Sequence, residues 1–175
     1  IDGYYELNMS EIPKLNNMVD GVTVTLEDDF SKKYPKMKKG ATINLDDEQA
    51  YAYVHDRYGV GDEENTSRMK RQQQYMTGFF KKLQEKVKAN PNYANEVFES
   101  LQDVSTTDIT IGKISNISNI FASGTAKGIF ELAGKSKIGQ ALGDEIDHME
   151  FYVNKKAMVS TMSELFGIVE QKNKE

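Results

Sequence analysis

Arginine suits phosphate oxygens better than any other side chain, because its planar guanidinium donates two parallel hydrogen bonds and keeps its charge at every physiological pH. One stretch, AYAYVHDRYGVGDEENTSRMKRQQQYMTGFF from Ala50 to Phe80, sets arginines at spacings that could use this. On a helix of 100° per residue, Arg68, Arg71, Gln72 and Tyr75 fall at about 0°, −60°, 40° and −20°, one polar stripe. Arg57 can join it from the end of the preceding helix. Met69, Met76, Phe80, Leu83 and Val87 fall between about 60° and 120°, which predicts a core-facing stripe beside the polar one. Two readings of the polar stripe stand together. Cations at helical spacing commonly make a solvated face, here with Glu63 and Glu64 to neutralise them. Held on a fixed helix, the same groups make an anion site. Tyr51, Tyr53 and Tyr75 suit a core better than a cofactor stack.

Other chemistries find no support. Cysteine is absent, which removes disulfides and thiolate metal sites. His55 and His148 stand far apart and outside any HExxH spacing, so a zinc enzyme is not indicated. There is no P-loop, GxSxG, EF-hand loop or GxGxxG. Asp28-Asp29 and Asp46-Asp47 read as turn and cap residues, and Asp108 in TTDIT as a helix N-cap. The net charge of −5 and the lack of a basic helix-turn-helix face argue against nucleic acid as a partner. A mean hydropathy of −0.61, with no apolar run near the ~18 to 20 residues of a membrane span, excludes a transmembrane helix within these residues. Nor does a signal-peptide pattern open the chain.

The elements that must position the arginines are legible in outline. A length of 175 residues suits a single domain able to bury a core. GYYELN alternates as a strand, and Ser10 is placed to cap a short helix containing Pro13, Leu15, Met18 and Val19. In GVTVTLED, Val22, Val24 and Leu26 alternate with Thr23, Thr25 and Glu27, the pattern of a half-buried strand. Residues 30–40 read as a basic, proline-containing loop, and Asp46 or Asp47 should cap a helix running through Gln49 and Tyr53. The longest helix should start near Thr66 or Ser67 and run to about Lys88, before Asn90-Pro91. Helices over Tyr93 to Leu101, through Ile111, Ile114, Ile117 and Ile120, and from Asn154 through Met158, Met162, Leu165 and Phe166 follow. Gly128 to Leu132 and Met149 to Val153 read as short strands. Strands alternating with helices predict an α/β layered domain.

The segment YVHDRYGVGDEENTSRMKRQQQYM resembles the LytR-CpsA-Psr family, whose signature reads here as YVxxR, an acidic loop, then RxxRQQ. IDGYY, NNMVDGVTVTL, KKGATINLDDEQAYAYV, TTDIT and KKAMVSTMSELF look like the family's order of elements. The resemblance implies a three-layer α/β/α sandwich with a mixed central sheet. In it residues 1–175 would be the C-terminal part of a single domain, the N-terminal half and a membrane anchor lying upstream of Ile1. It implies a phosphotransferase on the extracellular face of the cytoplasmic membrane of Gram-positive bacteria. Such an enzyme moves teichoic acid or capsular polysaccharide from polyprenyl pyrophosphate to peptidoglycan.

By position, Arg57 matches the second arginine of the first motif, Arg68 and Arg71 the pair in RxxR, and Gln72 the glutamine after it; His55 stands where a further arginine is usual. The resemblance thus implies catalytic roles for Arg57 and Arg68 and pyrophosphate contacts from Arg57, Arg68, Arg71, Gln72 and His55. Mg²⁺ would assist, held by residues upstream of this chain. A partner is implied as well, either the upstream half of the domain or a second copy, packing on apolar faces of GVTVTLED and the long helix. Two other functions remain open: a non-catalytic binder of polyprenyl phosphate or polysaccharide, and a LytR-type regulator of the cell envelope.

Overall fold

The computed structural model describes residues 3–63, 65–125, 128–141 and 143–167. They fall into two compact units, one ending at Gly128 and the other beginning at Ile129. In the first unit β1 (Tyr5–Leu7) leads through a 3₁₀ turn (Met9–Glu11) into α1 (Ile12–Met18), β2 (Thr23–Thr25) and β3 (Thr42–Asn44). Then come α2 (Asp47–His55), α3 (Asn65–Ala89), α4 (Tyr93–Ser100), β4 (Ser105–Thr107) and α5 (Ile111–Ser123). The second unit holds β5 (Gly134–Gly139), β6 (His148–Val153) and α6 (Lys155–Phe166). The class is α/β, as the alternation of patterns predicts. The strands pair as three separate antiparallel ladders, β1–β4, β2–β3 and β5–β6, so no mixed central sheet forms among the described residues.

Helix starts follow local chemistry closely. Asp46 accepts from Gln49 N at 2.9 Å while the Gln49 side chain accepts from Asp46 N at 3.2 Å, a capping box that fixes the first turn of α2. Asn154 accepts from Ala157 N and starts α6. Two expected caps are corrected. Asn8 rather than Ser10 accepts the first free N–H ahead of α1, from Ser10 N at 3.0 Å. Asp108 lies two residues early and accepts from Tyr4 N at 2.8 Å, tying the start of the chain to the end of β4, while Thr110 caps α5. The second unit's first strand is Gly134–Gly139, displaced from the expected Gly128 to Leu132.

The core of the first unit is built on β2. Val24 is buried between exposed Thr23 and Thr25, and Val22 and Leu26 continue the buried line. Val24 pairs with Ile43 of β3, and the Thr25 and Thr42 hydroxyls meet at 2.9 Å on the outer face. The loop after β2 contributes Phe30 and Met37, both buried. Over this surface lies α3, whose buried side chains are Arg71, Tyr75, Phe79 and Val87. This corrects the expected packing face. The line Arg71–Tyr75–Phe79 turns inward, Met76 and Leu83 pack beside it, and Met69 and Phe80 are exposed. The helix approaches β2 so closely that a Cβ on Gly78 would stand 2.6 Å from Val22 Cγ1.

In the second unit the register of β5 and β6 puts Ile138 and Met149 opposite each other, with Phe151 on the same face. Lys135, Lys137, Glu150 and Tyr152 take the other face, where the Lys137 ammonium sits 3.9 Å from the Tyr152 ring centre. Ile138, Met149 and Phe151 are exposed. Uncovered apolar surface was expected on β2 and the long helix: the outer face of β2 carries Thr23 and Thr25 instead, whereas α3 does expose Met69 and Phe80.

Candidate functional site

Of the 22 cationic residues in the sequence, three are arginines, and all three lie between positions 57 and 71. They lie just after the end of α2 and along the first half of α3. A helix ends with carbonyls that lack intrahelical partners. Here α3 supplies them. Arg71 Nε donates to Tyr53 O at 2.9 Å, a second guanidinium nitrogen donates to Asp56 O, and Gln72 Nε2 donates to Val54 O at 2.9 Å. The third nitrogen of Arg71 pairs with the Asp28 carboxylate, and the guanidinium lies 5.3 Å from the Phe30 ring centre. Gln74 extends the seam, accepting from the Tyr53 hydroxyl and donating to Thr25 O at 3.1 Å. Desolvation, and after it the negative charge of Glu27, pushes the Tyr53 phenol well above its ordinary pKa.

RxxRQQ therefore faces two ways. Arg71 is 2% exposed and, with Gln72, donates to protein acceptors. Arg68 and Arg57 are half-buried. One nitrogen of Arg68 donates to Asn65 Oδ1 at 2.7 Å, while its Nε is buried without a partner among the described residues. Arg57 donates to the Tyr58 hydroxyl, its guanidinium 4.5 Å from the ring centre of that residue, which is 75% exposed. His55 is exposed, stacked on Tyr51 at 4.8 Å, with Nδ1 3.2 Å from Asp56 Oδ1. Lys33 reaches the other oxygen of Asp56 at 3.2 Å. Arg57 follows the residue whose carbonyl Arg71 holds, and Arg68 lies one turn before Arg71, so both flank the same anchor.

The loop between the helices closes over that anchor. Val60 is buried, and Gly61, at φ +56°, comes so near Asp28 that a Cβ there would stand 2.5 Å from Asp28 Oδ1. Glu63 accepts from Gly59 N at 2.8 Å within the loop. Glu64, expected to help neutralise the arginines, lies outside the described residues. Asp28 and Gln74 are the functional-site residues that sequence reasoning missed. A signal for Asp28 existed: it continues the buried parity of Val22, Val24 and Leu26, and a carboxylate on a buried parity needs a cation.

Among the described residues no group of three or more His, Asp or Glu is placed to hold a metal ion. The resemblance implies Mg²⁺ held by residues other than these. A cavity of about 560 Å³ opens at the other end of α2, lined by Asn16, Asn17, Asp20, Asn44, Asp47 and Glu48. Its acids suit no phosphate.

The model of the LytR_cpsA_psr family matches residues 1–167. The chain belongs to this family. No curated protein sequence matches it significantly. Among solved structures, the Lin1025 protein from Listeria innocua aligns with a TM-score of 0.69 and 20% identity, over 97% of this chain and 68% of that one. TagV of B. subtilis aligns at 0.67 and 19%, over 97% and 66%. TagT bound to LI-WTA aligns at 0.65 and 16%, over 95% and 60%. The LytR_cpsA_psr chain thus shares their fold and spans about two-thirds of their length. None of its described helices is long and apolar enough to cross a membrane.

Proposed function

We propose that this chain is part of a transferase that moves a cell-wall glycopolymer from polyprenyl pyrophosphate onto peptidoglycan, outside the cytoplasmic membrane. The observation that carries the reading is the gathering of all three arginines at the α2–α3 junction. Family membership over residues 1–167 and the likeness to TagT, solved with LI-WTA, support the choice of substrate class. In the reaction a hydroxyl oxygen of the acceptor attacks the phosphorus that carries the glycan. The bond from that phosphorus to the bridging oxygen breaks, polyprenyl phosphate leaves with the electron pair, and the hydroxyl proton is released. Negative charge grows on the leaving phosphate, and guanidiniums already fixed in place stabilise it without reorganising. Arg57 and Arg68 take that role, with His55 beside them when protonated. Arg71 and Gln72 hold the end of α2, and so fix where Arg57 departs from it.

The exposed face of Ile138, Met149 and Phe151 is where a further chain would pack, the remainder of the family fold or a second copy. The test is titration with a short-chain polyprenyl pyrophosphate, followed by transfer of labelled glycopolymer to peptidoglycan. Arg68→Gln should lose binding and transfer while melting like the wild type. A variant that binds and transfers normally sinks the assignment.

A further inference from the structure

We propose that Asp28 sets the strength of the anion site by cancelling the charge of Arg71, so that a bound pyrophosphate meets two arginine charges rather than three. The proposal rests on the anion-site reading above and concerns what tunes it. The Arg71 side chain is 2% exposed and that of Asp28 13%, and they form a direct ion pair at the floor of the junction. Gly61 presses on the carboxylate from the loop that begins at Arg57, leaving no room for a side chain between them. The pair is therefore largely withdrawn from solvent, where opposite charges are weakly screened and cancel closely as seen from outside.

Arg57 and Arg68 are placed differently. Neither is paired to a carboxylate by any described ion pair; of the other carboxylates near the junction, Asp56 takes His55 and Lys33, Glu63 accepts from Gly59 N and Asp62 from the Ser67 hydroxyl. Two cations are thus left to a ligand and a third is neutralised one helical turn away. A transferase has reason for this balance, because its product is a phosphate that must leave. A third uncancelled guanidinium would hold donor and product alike more tightly, and uniform binding of that kind does not speed the chemical step.

Asp28→Asn tests the idea with little change of shape. The amide oxygen can still accept from Arg71, but the negative charge is gone. Inorganic pyrophosphate, titrated calorimetrically at low salt, should bind Asp28→Asn about tenfold more tightly than wild type, since a unit charge within roughly two helical turns acts through partly buried protein. The gain should shrink at high salt. Arg68→Gln, measured in parallel, separates the two claims. If Arg68→Gln binds like wild type, or wild type does not bind, the anion-site reading fails and takes this proposal with it. If Arg68→Gln loses binding while Asp28→Asn binds no more tightly than wild type, the site stands and the proposal about Asp28 is overturned.

Should Asp28→Asn not fold, the wild-type chain decides the matter. Its three arginines give three side-chain Nε–H signals, assignable with Arg57→Lys and Arg68→Lys. Pyrophosphate should move the signals of Arg57 and Arg68 and leave that of Arg71, locked on Tyr53 O, in place. An Arg71 signal that shifts in step with Arg68 would show direct contact with the ligand and overturn the proposal.

Discussion

Arg71 Nε donates to the carbonyl of Tyr53 at 2.9 Å, from a residue 18 positions further along the chain. That bond joins the end of α2 to the middle of α3 and puts a guanidinium under the loop that carries Arg57. A buried arginine is tolerable because every arm has an acceptor: Tyr53 O, Asp56 O and the Asp28 carboxylate.

The first prediction follows from that accounting. Arg71→Met fills similar volume but leaves the Asp28 charge and two carbonyls without their donor. Breaking one side of a buried pair costs about 3 to 5 kcal/mol. Arg68→Gln should cost less than about 1 kcal/mol, because that side chain is half-buried and gives up one hydrogen bond to Asn65. Denaturant melts of both variants check this; equal losses would mean that Arg71 is not the clamp described.

The second prediction separates two adjacent phenylalanines. Phe79 is 5% exposed and packs with Tyr75, whereas Phe80 is 44% exposed and meets Phe121 edge-on at 6.4 Å between ring centres. Phe79→Ala should cost about 3 to 5 kcal/mol and Phe80→Ala less than half of that. A reversed order in chemical melts would restore the packing face expected from the sequence.

That expectation shows where sequence reasoning stops. The 25-residue α3 is legible because its formers run without proline up to Asn90-Pro91, and α2 because Asp46 and Gln49 sit at capping-box spacing. The strands β3 and β4, three residues each, are too short to print an alternation. The face of α3 is hidden from the sequence for a different reason. Periodicity places Arg71 among polar residues, and what buries it is a set of acceptors from α2 and the end of the β2 segment, distant in sequence. The i, i+4, i+8 line of Arg71, Tyr75 and Phe79 held the clue, since two aromatics one turn apart outweigh one charge that finds partners. That Arg57, Arg68 and Arg71 all fall at or just beside the α2–α3 junction was legible from spacing. Their division into half-buried and clamped residues was not.

A third prediction concerns Gly78. In a helix interior alanine is ordinarily better than glycine by about 1 kcal/mol. Here the new methyl would stand 2.6 Å from Val22 Cγ1, and a β-branched side chain in a core has little freedom to move aside. Overpacking costs about 1 to 3 kcal/mol, so Gly78→Ala should destabilise on balance. Adding Val22→Ala makes room for the methyl. The double variant should then lose less than the two single losses combined. Strict additivity in thermal melts would show that the two residues do not touch.

The last prediction is one of alkaline stability. Tyr53 and Tyr75 are both buried, and desolvation raises both phenols above their ordinary value, with Glu27 adding to Tyr53 and Asp47 to Tyr75. Each hydroxyl is also held as a donor, Tyr53 to Gln74 Oε1 and Tyr75 to Asn16 Oδ1 at 3.3 Å. In the unfolded chain a tyrosine gives up its proton near pH 10. Because the folded pKa is raised, the folded state retains protons that the unfolded state has lost. The contribution of each tyrosine is therefore fully present below about pH 10 and is lost progressively as pH rises toward the folded value. The unfolding free energy should fall with pH above about 10, more steeply than one tyrosine alone would give. Tyr53→Phe should lower stability at neutral pH by leaving Gln74 Oε1 without its donor, Tyr75→Phe should cost less because Asn16 Oδ1 keeps its bond from Val22 N, and both should flatten the alkaline slope. Equilibrium unfolding from pH 8 to 11 reads both effects, and an unchanged slope in the two variants would show that these phenols do not carry the alkaline transition.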